Sequence, residues 1–231
     1  MKYCLLFSLA FTVNNGALLA QSMRTIRVKA GDDVAQAYSA NGFYRLPQYA
    51  KAILYYNNGK VNVGGQFNYN ILSANMQFIG DKGDTLELGG KEALDSVSLS
   101  GTSYIFNNGF YEVVCRVDSV VLSKKIVIKT ETDNIGAYGM PNATASITNM
   151  RSYTNGTSVY SLTLNQDVVV TENISWFFSD KKGNLVKASK SNLLKLLSAE
   201  KQAKTESWLK ENKTSFDKEA DLKRLMGAIE R

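Results

Sequence analysis

The tripeptide Asn-Asn-Gly at 57–59 and again at 107–109 stands between two runs of β-forming residues, while its third copy, at 14–16, interrupts the apolar N-terminal stretch. Asn and Gly tolerate the positive φ of a tight hairpin, so the flanking runs are set to return antiparallel to one another. Lys51–Tyr56 and Lys60–Val63 flank the first turn, and Ser103–Phe106 and Phe110–Val117 flank the second. The segment Gln66–Leu72 has the clearest period of two. It places Phe67, Tyr69 and Ile71 on one face and Gln66, Asn68 and Asn70 on the other. Met76–Gly80 and Asp84–Leu88 repeat the pattern around Asp81-Lys82-Gly83. Arg24–Lys29 reads as a strand, residues 33–41 as a helical turn, and Asp118–Lys129, rich in Val and Ile, as a long strand paired on both sides. Ser158–Leu164, Asp167–Thr171 and Ile174–Ser179 add further strands. The expected fold class is mainly β, an antiparallel meander of hairpins with a sandwich- or barrel-like form.

The C-terminal stretch changes period. Leu193, Leu194, Leu196 and Leu197 form the stripe of a short helix behind Ser189 or Ser191 as cap. A charged helix anchored by Trp208 and Leu209 covers 199–212, and a last helix carries Leu222, Leu225, Met226 and Ile229. A short α-helical unit therefore ends the chain.

The N-terminal residues set the address. Lys2 precedes the apolar run 3–13, and Ala17-Leu18-Leu19-Ala20 precedes Gln21, the basic, apolar, small-residue order of a secretory signal. The run is too short to span a bilayer, so cleavage near Ala20 is expected. The expected organisation is a signal peptide at 1–20, a β-rich domain at 21–187 with a loop-rich stretch at 130–158, and a helical unit at 188–231. The expected location is the periplasm, the outer-membrane periphery or the exterior.

Composition then removes chemistries. The chain has no histidine, which excludes Ser-His-Asp and Cys-His hydrolases and His-ligated zinc or haem. Of its two cysteines, Cys4 leaves with the signal, so Cys115 has no internal partner for a disulfide. No cofactor and no metal ion is expected. Of the 27 basic residues the signal holds only Lys2, so 26 remain against 21 acidic ones, a mild excess of +5 spread along the chain. No polybasic tract interleaved with aromatics appears, so a nucleic-acid partner is not expected.

The segment Gln66-Phe67-Asn68-Tyr69-Asn70-Ile71-Leu72-Ser73-Ala74-Asn75-Met76-Gln77-Phe78-Ile79-Gly80-Asp81-Lys82-Gly83-Asp84-Thr85-Leu86 resembles one found in a family of small exported proteins of Gram-negative bacteria. The tail is similar to the C-terminal ends of those proteins, from Phe177-Phe178-Ser179-Asp180-Lys181-Lys182-Gly183-Asn184 through Leu193–Leu197 to Lys210-Glu211-Asn212-Lys213 and Asp221-Leu222. The resemblance implies an envelope address and a β architecture. It supplies no active site, because no activity is established for that family.

Candidate site residues are few. Glu112 and Arg116, with Val114 between them, are expected on one strand face, as an exposed polar ladder or as recognition groups for a charged ligand. Tyr138, in the Gly-rich stretch, is a candidate binding aromatic. Cys115 reads as a small hydrophobe on an apolar face. A pair drawn from Glu87, Glu92, Asp95, Glu112 and Asp118 is the one catalytic option, for glycoside hydrolysis. The leading expectation is an exported, non-enzymatic envelope protein acting through a protein- or glycan-binding surface, peripheral to the membrane rather than integral. The alternatives are a two-carboxylate glycosidase and a purely structural or stress-related envelope component.

Overall fold

The computed structural model describes residues 24–132, 147–148, 167–180 and 183–230; the expected signal peptide, most of the expected loop-rich stretch and the expected strand Ser158–Leu164 lie outside these residues. Among the described residues twelve strands form one sheet: β1 (Arg24–Val28), β2 (Ala50–Tyr56), β3 (Val61–Asn70), β4 (Asn75–Ile79), β5 (Thr85–Glu87), β6 (Leu94–Leu99), β7 (Thr102–Phe106), β8 (Phe110–Val117), β9 (Val120–Thr132), β10 (Ile147–Thr148), β11 (Val168–Ser179) and β12 (Leu185–Lys187). A one-turn helix α1 (Val34–Tyr38) follows β1, and α2 (Lys190–Leu196), α3 (Ala199–Glu211) and α4 (Glu219–Glu230) close the chain. The order β1-β11-β9-β8-β7-β6-β2-β3-β4-β5 has two different ends, so the sheet is open. Every strand pairing among the described residues is antiparallel.

The Asn-Asn-Gly turns at 57–59 and 107–109 form hairpins, with Gly59 at φ +78° and Asn108 at φ +49°. Several strand assignments differ from the sequence reading. Lys60–Val63 and Gln66–Leu72 join into the single strand β3, because Gly65 sits at φ +62° as the extra residue of a bulge opposite Lys51 and Ala52. A Cβ there would lie 2.6 Å from the Phe67 ring, so only glycine fits. The two expected strands from 167 to 179 likewise form one strand, β11. Strand β6 had no counterpart in the sequence reading, although Ser96-Val97-Ser98-Leu99 alternates cleanly. Asp118, expected to start a long strand, is instead in the two-residue turn between Val117 and Val120, at φ +52°.

The sheet curls around two apolar clusters on its inner face. The larger cluster joins Val28 and Val168 near one edge to Phe67 and Met76 near the other, with Val34, Tyr38 and Phe43 filling the interior. The second lies between the ends of β8, β9 and β11 and the C-terminal helices. Val120, Leu122, Trp176 and Phe178 meet Leu193, Leu222, Leu225, Met226 and Ile229 there. The spacing 222, 225, 226, 229 is one helical face, and all four side chains are buried. At about 1.5–3 kcal/mol for each fully buried aliphatic side chain, this face holds the tail on the sheet. Among the described residues no helix is long and apolar enough to cross a membrane.

Candidate functional site

Between the two clusters the inner face carries a polar row. Tyr104 pairs across the sheet with Glu112, Glu112 with Lys124, and Lys124 with Trp176. The neighbouring rows are apolar, Phe110, Ile126 and Ile174 on one side and Leu122 and Phe178 on the other. Burying a carboxylate here is costly unless cations reach it. Glu112 Oε1 accepts from Arg45 at 2.7 Å and lies 3.2 Å from Lys124 Nζ. Lys124 Nζ lies 3.6 Å from Glu219 at the start of α4 and 6.0 Å from the centre of the Trp176 ring. One chain of charges thus joins the segment before β2, the sheet and the tail helix. Arg45 keeps its charge more firmly than usual: burial opposes this, but Glu112 outweighs it. Burial, reinforced by Glu112, pushes the Tyr104 phenol well above its ordinary range. Among the described residues Glu112 Oε2 and Trp176 Nε1 have no hydrogen-bond partner.

Glu112 and Arg116 do not share a face. Val113 opposes Ser123 and Cys115 opposes Leu122, so Val114 is the extra residue of a bulge. That residue shifts the phase of the strand, turning Glu112 inward to Lys124 and Arg116 to the exposed side opposite Val121. The expected polar ladder is replaced by a buried ion pair and a separate surface arginine. Tyr138 lies outside the described residues. Cys115 is half-buried against the tail cluster, and burial pushes its thiol above the usual range, the direction of an inert side chain.

Four of the five candidate carboxylates, Glu112 among them, are engaged by partners other than one another. Glu87 accepts from Asn75, Asp95 from Ser96, and Asp118 pairs with Lys201. Glu112 and Asp118 are separated along β8 by roughly 20 Å at the usual strand rise. The carboxylate that does come near Glu112 is Glu219, through their common Lys124. This pair suits hydrolysis poorly, because a general acid needs a carboxyl with a raised pKa. Burial raises that of Glu219, but hydrogen bonding to Lys223 and the charge of Lys124 hold it below the usual carboxylate range.

A depressed folded-state pKa contributes stability that is present above the unfolded value and lost as pH falls through the folded one. Docking of α4 should therefore weaken below the ordinary glutamate range, near pH 4. Glu219→Gln is expected to flatten that acid limb of the stability curve, as followed by urea denaturation between pH 3 and 7. An unchanged limb would show that Glu219 plays no part in it.

The outward face of the same sheet is different in kind. Tyr55 opposes Val61 and Ile53 opposes Val63 across the first hairpin. The rows continue into Ser96 and Ser98 on β6, then Ile105 and Ser103 on β7. Val61 and Val63 are 56% and 66% exposed, and Tyr55 37%. None of these residues is charged, and Lys51 and Asp95, which accepts from Ser96, lie at the margin.

Farther along, β3, β4 and β5 present amides on this outward face. The backbone of 43–45 runs beside β3, with Tyr44 bridging Asn70, and residues 46–49 lead from there into β2. Asn68 bonds both the N–H and the C=O of Leu46. Asn68 and Asn70 are thus buried structural groups rather than a solvated strand face.

The sequence reading missed Arg45, Lys124 and Glu219. For Lys124 a signal existed: it shares strand parity with Leu122, Ile126 and Ile128, a lone cation on an apolar face. Nothing local marks Arg45 for Glu112, 67 residues away, and the local pairing of Glu219 with Lys223 does not announce Lys124, 95 residues away. Among the described residues no group of three or more Cys, Asp or Glu is placed to hold a metal ion. In comparison with known proteins, no family model, curated protein or solved structure matches the chain.

Proposed function

We propose that this is an exported, non-enzymatic binding protein that presents the outward face of β2, β3, β6 and β7 to a partner protein of the bacterial envelope. One observation carries the reading: an uncharged surface of Val61, Val63, Tyr55, Ile53 and Ile105, floored by serines, in a chain that is 21% charged. Contiguous exposed apolar surface of this kind marks association sites, and a tyrosine at its centre is a favoured anchor. Small serines between larger side chains leave a shallow relief into which partner side chains can pack. The signal-like N-terminus and the resemblance to exported proteins support the envelope address. The charged inner row supports the non-enzymatic part, since its carboxylates are engaged by cations and its role is to join the tail to the sheet.

A photoreactive residue in place of Val63 tests this in intact cells. A discrete adduct is expected, carried on a protein whose N-terminus is Gln21, and absent when Tyr55 and Val61 are changed to serine. The same probe in place of Lys190, on the exposed surface of α2, should capture nothing discrete. Equal labelling from the two positions would sink the reading.

A further inference from the structure

We propose that the free edge of β3 at Val61–Val63 pairs with the same edge of a second copy, giving a two-fold dimer through one continuous sheet. The pairing is lateral and leaves the outward side chains of Tyr55, Ile53 and Ile105 uncovered. It therefore goes beyond the partner-protein reading and does not rest on it.

Strand β3 is 10 residues long, and its neighbours share it unequally. β2 pairs along it from Val61 to Phe67, whereas β4 reaches only Phe67–Asn70. Among the described residues no strand pairs with the β4 side of Val61–Gln66, and all of these but Gly64 are exposed. The Tyr56 N–H donates to the Lys60 C=O at 2.9 Å, which sets the phase of the ladder. Antiparallel strands turn the backbone groups of alternate residues to opposite sides. Asn62 and Gly64 therefore face β2, and Val61 and Val63 aim their N–H and C=O groups at the open edge. Such a row is a template for another strand, and edges that must stay unpaired are blunted with charge. The other edges follow that rule: β1 carries Arg24 and Arg27, β5 carries Glu87, and β12 carries Lys187. Val61–Gln66 carries no charge, in a chain of net charge +6. Two copies thus meet there with the least repulsion.

The edge is also complementary to itself. Antiparallel copies centred on Asn62 place Val61 opposite Val63 of the second copy, and Val63 opposite its Val61. These are the hydrogen-bonded positions, so each pair exchanges both of its N–H···O bonds. Val61 and Val63, 56% and 66% exposed in one copy, then lie side by side with their counterparts, a favourable cross-strand match of β-branched residues. The Asn62 carboxamides come together across the axis, where each can donate to the other. Lys60 falls opposite Gly64 of the second copy, which offers it no side chain to clash with. The bulge at Gly65 lies outside the paired stretch. An edge that pairs with itself across a two-fold axis is used up in one dimer, so the contact closes and does not propagate into a fibre.

Sedimentation equilibrium of the purified mature chain, with no envelope protein present, tests the pairing. A monomer–dimer equilibrium is expected with a dissociation constant on the order of 10–100 μM, weak because the contact is smaller than a standard interface. Val63→Lys places a charge on the edge and should weaken the dimer about tenfold or more. Val63 is exposed, so the same variant should keep the parent's urea midpoint. The register is read by oxidation in a Cys115→Ala background. Asn62→Cys should give a disulfide-bridged dimer, because opposed residues of a non-hydrogen-bonded pair lie within disulfide reach. Asn58→Cys, also exposed but at the hairpin tip, should bridge far more slowly. A chain that stays monomeric throughout that concentration range overturns the proposal. So does a dimer that Val63→Lys leaves intact, or bridging at 58 as fast as at 62. In cells, an adduct from position 63 at twice the chain's mass belongs to this edge, and one of any other mass to the outward face.

Discussion

Truncation of Trp176 to alanine is expected to destabilise the protein by about 3–5 kcal/mol, the range for deleting a buried indole. Trp176 is 2% exposed and stands where the polar row meets the tail cluster. Its ring packs with Leu122, Phe178 and the helices, and lies under the Lys124 ammonium. Removing it opens a cavity under the tail and strips Lys124 of its aromatic neighbour. Two readouts should move together: the urea midpoint falls, and amide protection across 222–229 is lost at lower denaturant than protection in β2 and β6. Trp208, half-buried on α3, provides the comparison. Trp208→Ala should cost well under half as much. Equal effects from the two substitutions would mean that the second cluster does not depend on Trp176.

The second large effect concerns the inner charges. Glu112→Ala leaves Lys124, whose side chain is only 12% exposed, with the more distant Glu219 as its remaining carboxylate. Breaking a buried pair by removing one partner costs about 3–5 kcal/mol, and the lower end is expected because Glu219 and water relieve part of the penalty. The double substitution of Glu112 and Lys124 by methionine is predicted to recover most of this loss, to within about 1 kcal/mol of the parent chain. The rows on either side are already apolar, so two thioethers would fuse the clusters into one. Denaturation of the two single variants and the double variant gives the coupling directly. A double variant as unstable as Glu112→Ala would show that the row is essential to the fold. Recovery would instead assign the charges to specificity: they bring α4 and the segment carrying Arg45 to one place on the sheet.

Much of the architecture was legible because its signals are local. Asn57-Asn58-Gly59 and Asn107-Asn108-Gly109 announce hairpins by backbone chemistry that needs no distant contact. The apolar face of α4 at 222, 225, 226 and 229 is likewise a property of one helix, and all four residues are buried. The alternation through Phe67, Tyr69 and Ile71 correctly names a buried face. The same alternation says nothing of what lies over Asn68, because Leu46 arrives there from another part of the chain.

The candidate site was less legible, and the bulge at Val114 shows why. Period-two reasoning carries a side chain to the correct face only while the register is unbroken, and one inserted residue reverses everything beyond it. Nothing in Tyr111-Glu112-Val113-Val114-Cys115-Arg116 marks where that insertion falls, because it is set by pairing with β9. The chain by itself determined that hairpins form, which residues are apolar enough to be buried, and which catalytic chemistries lack their reagents. Those are properties of a residue and its near neighbours. Tertiary structure alone decided that Glu112 faces Arg45 and Lys124, that Arg116 turns away, and that the tail closes over Trp176. Each of these depends on which distant segments meet, and side-chain burial and ion pairing are energies of that meeting.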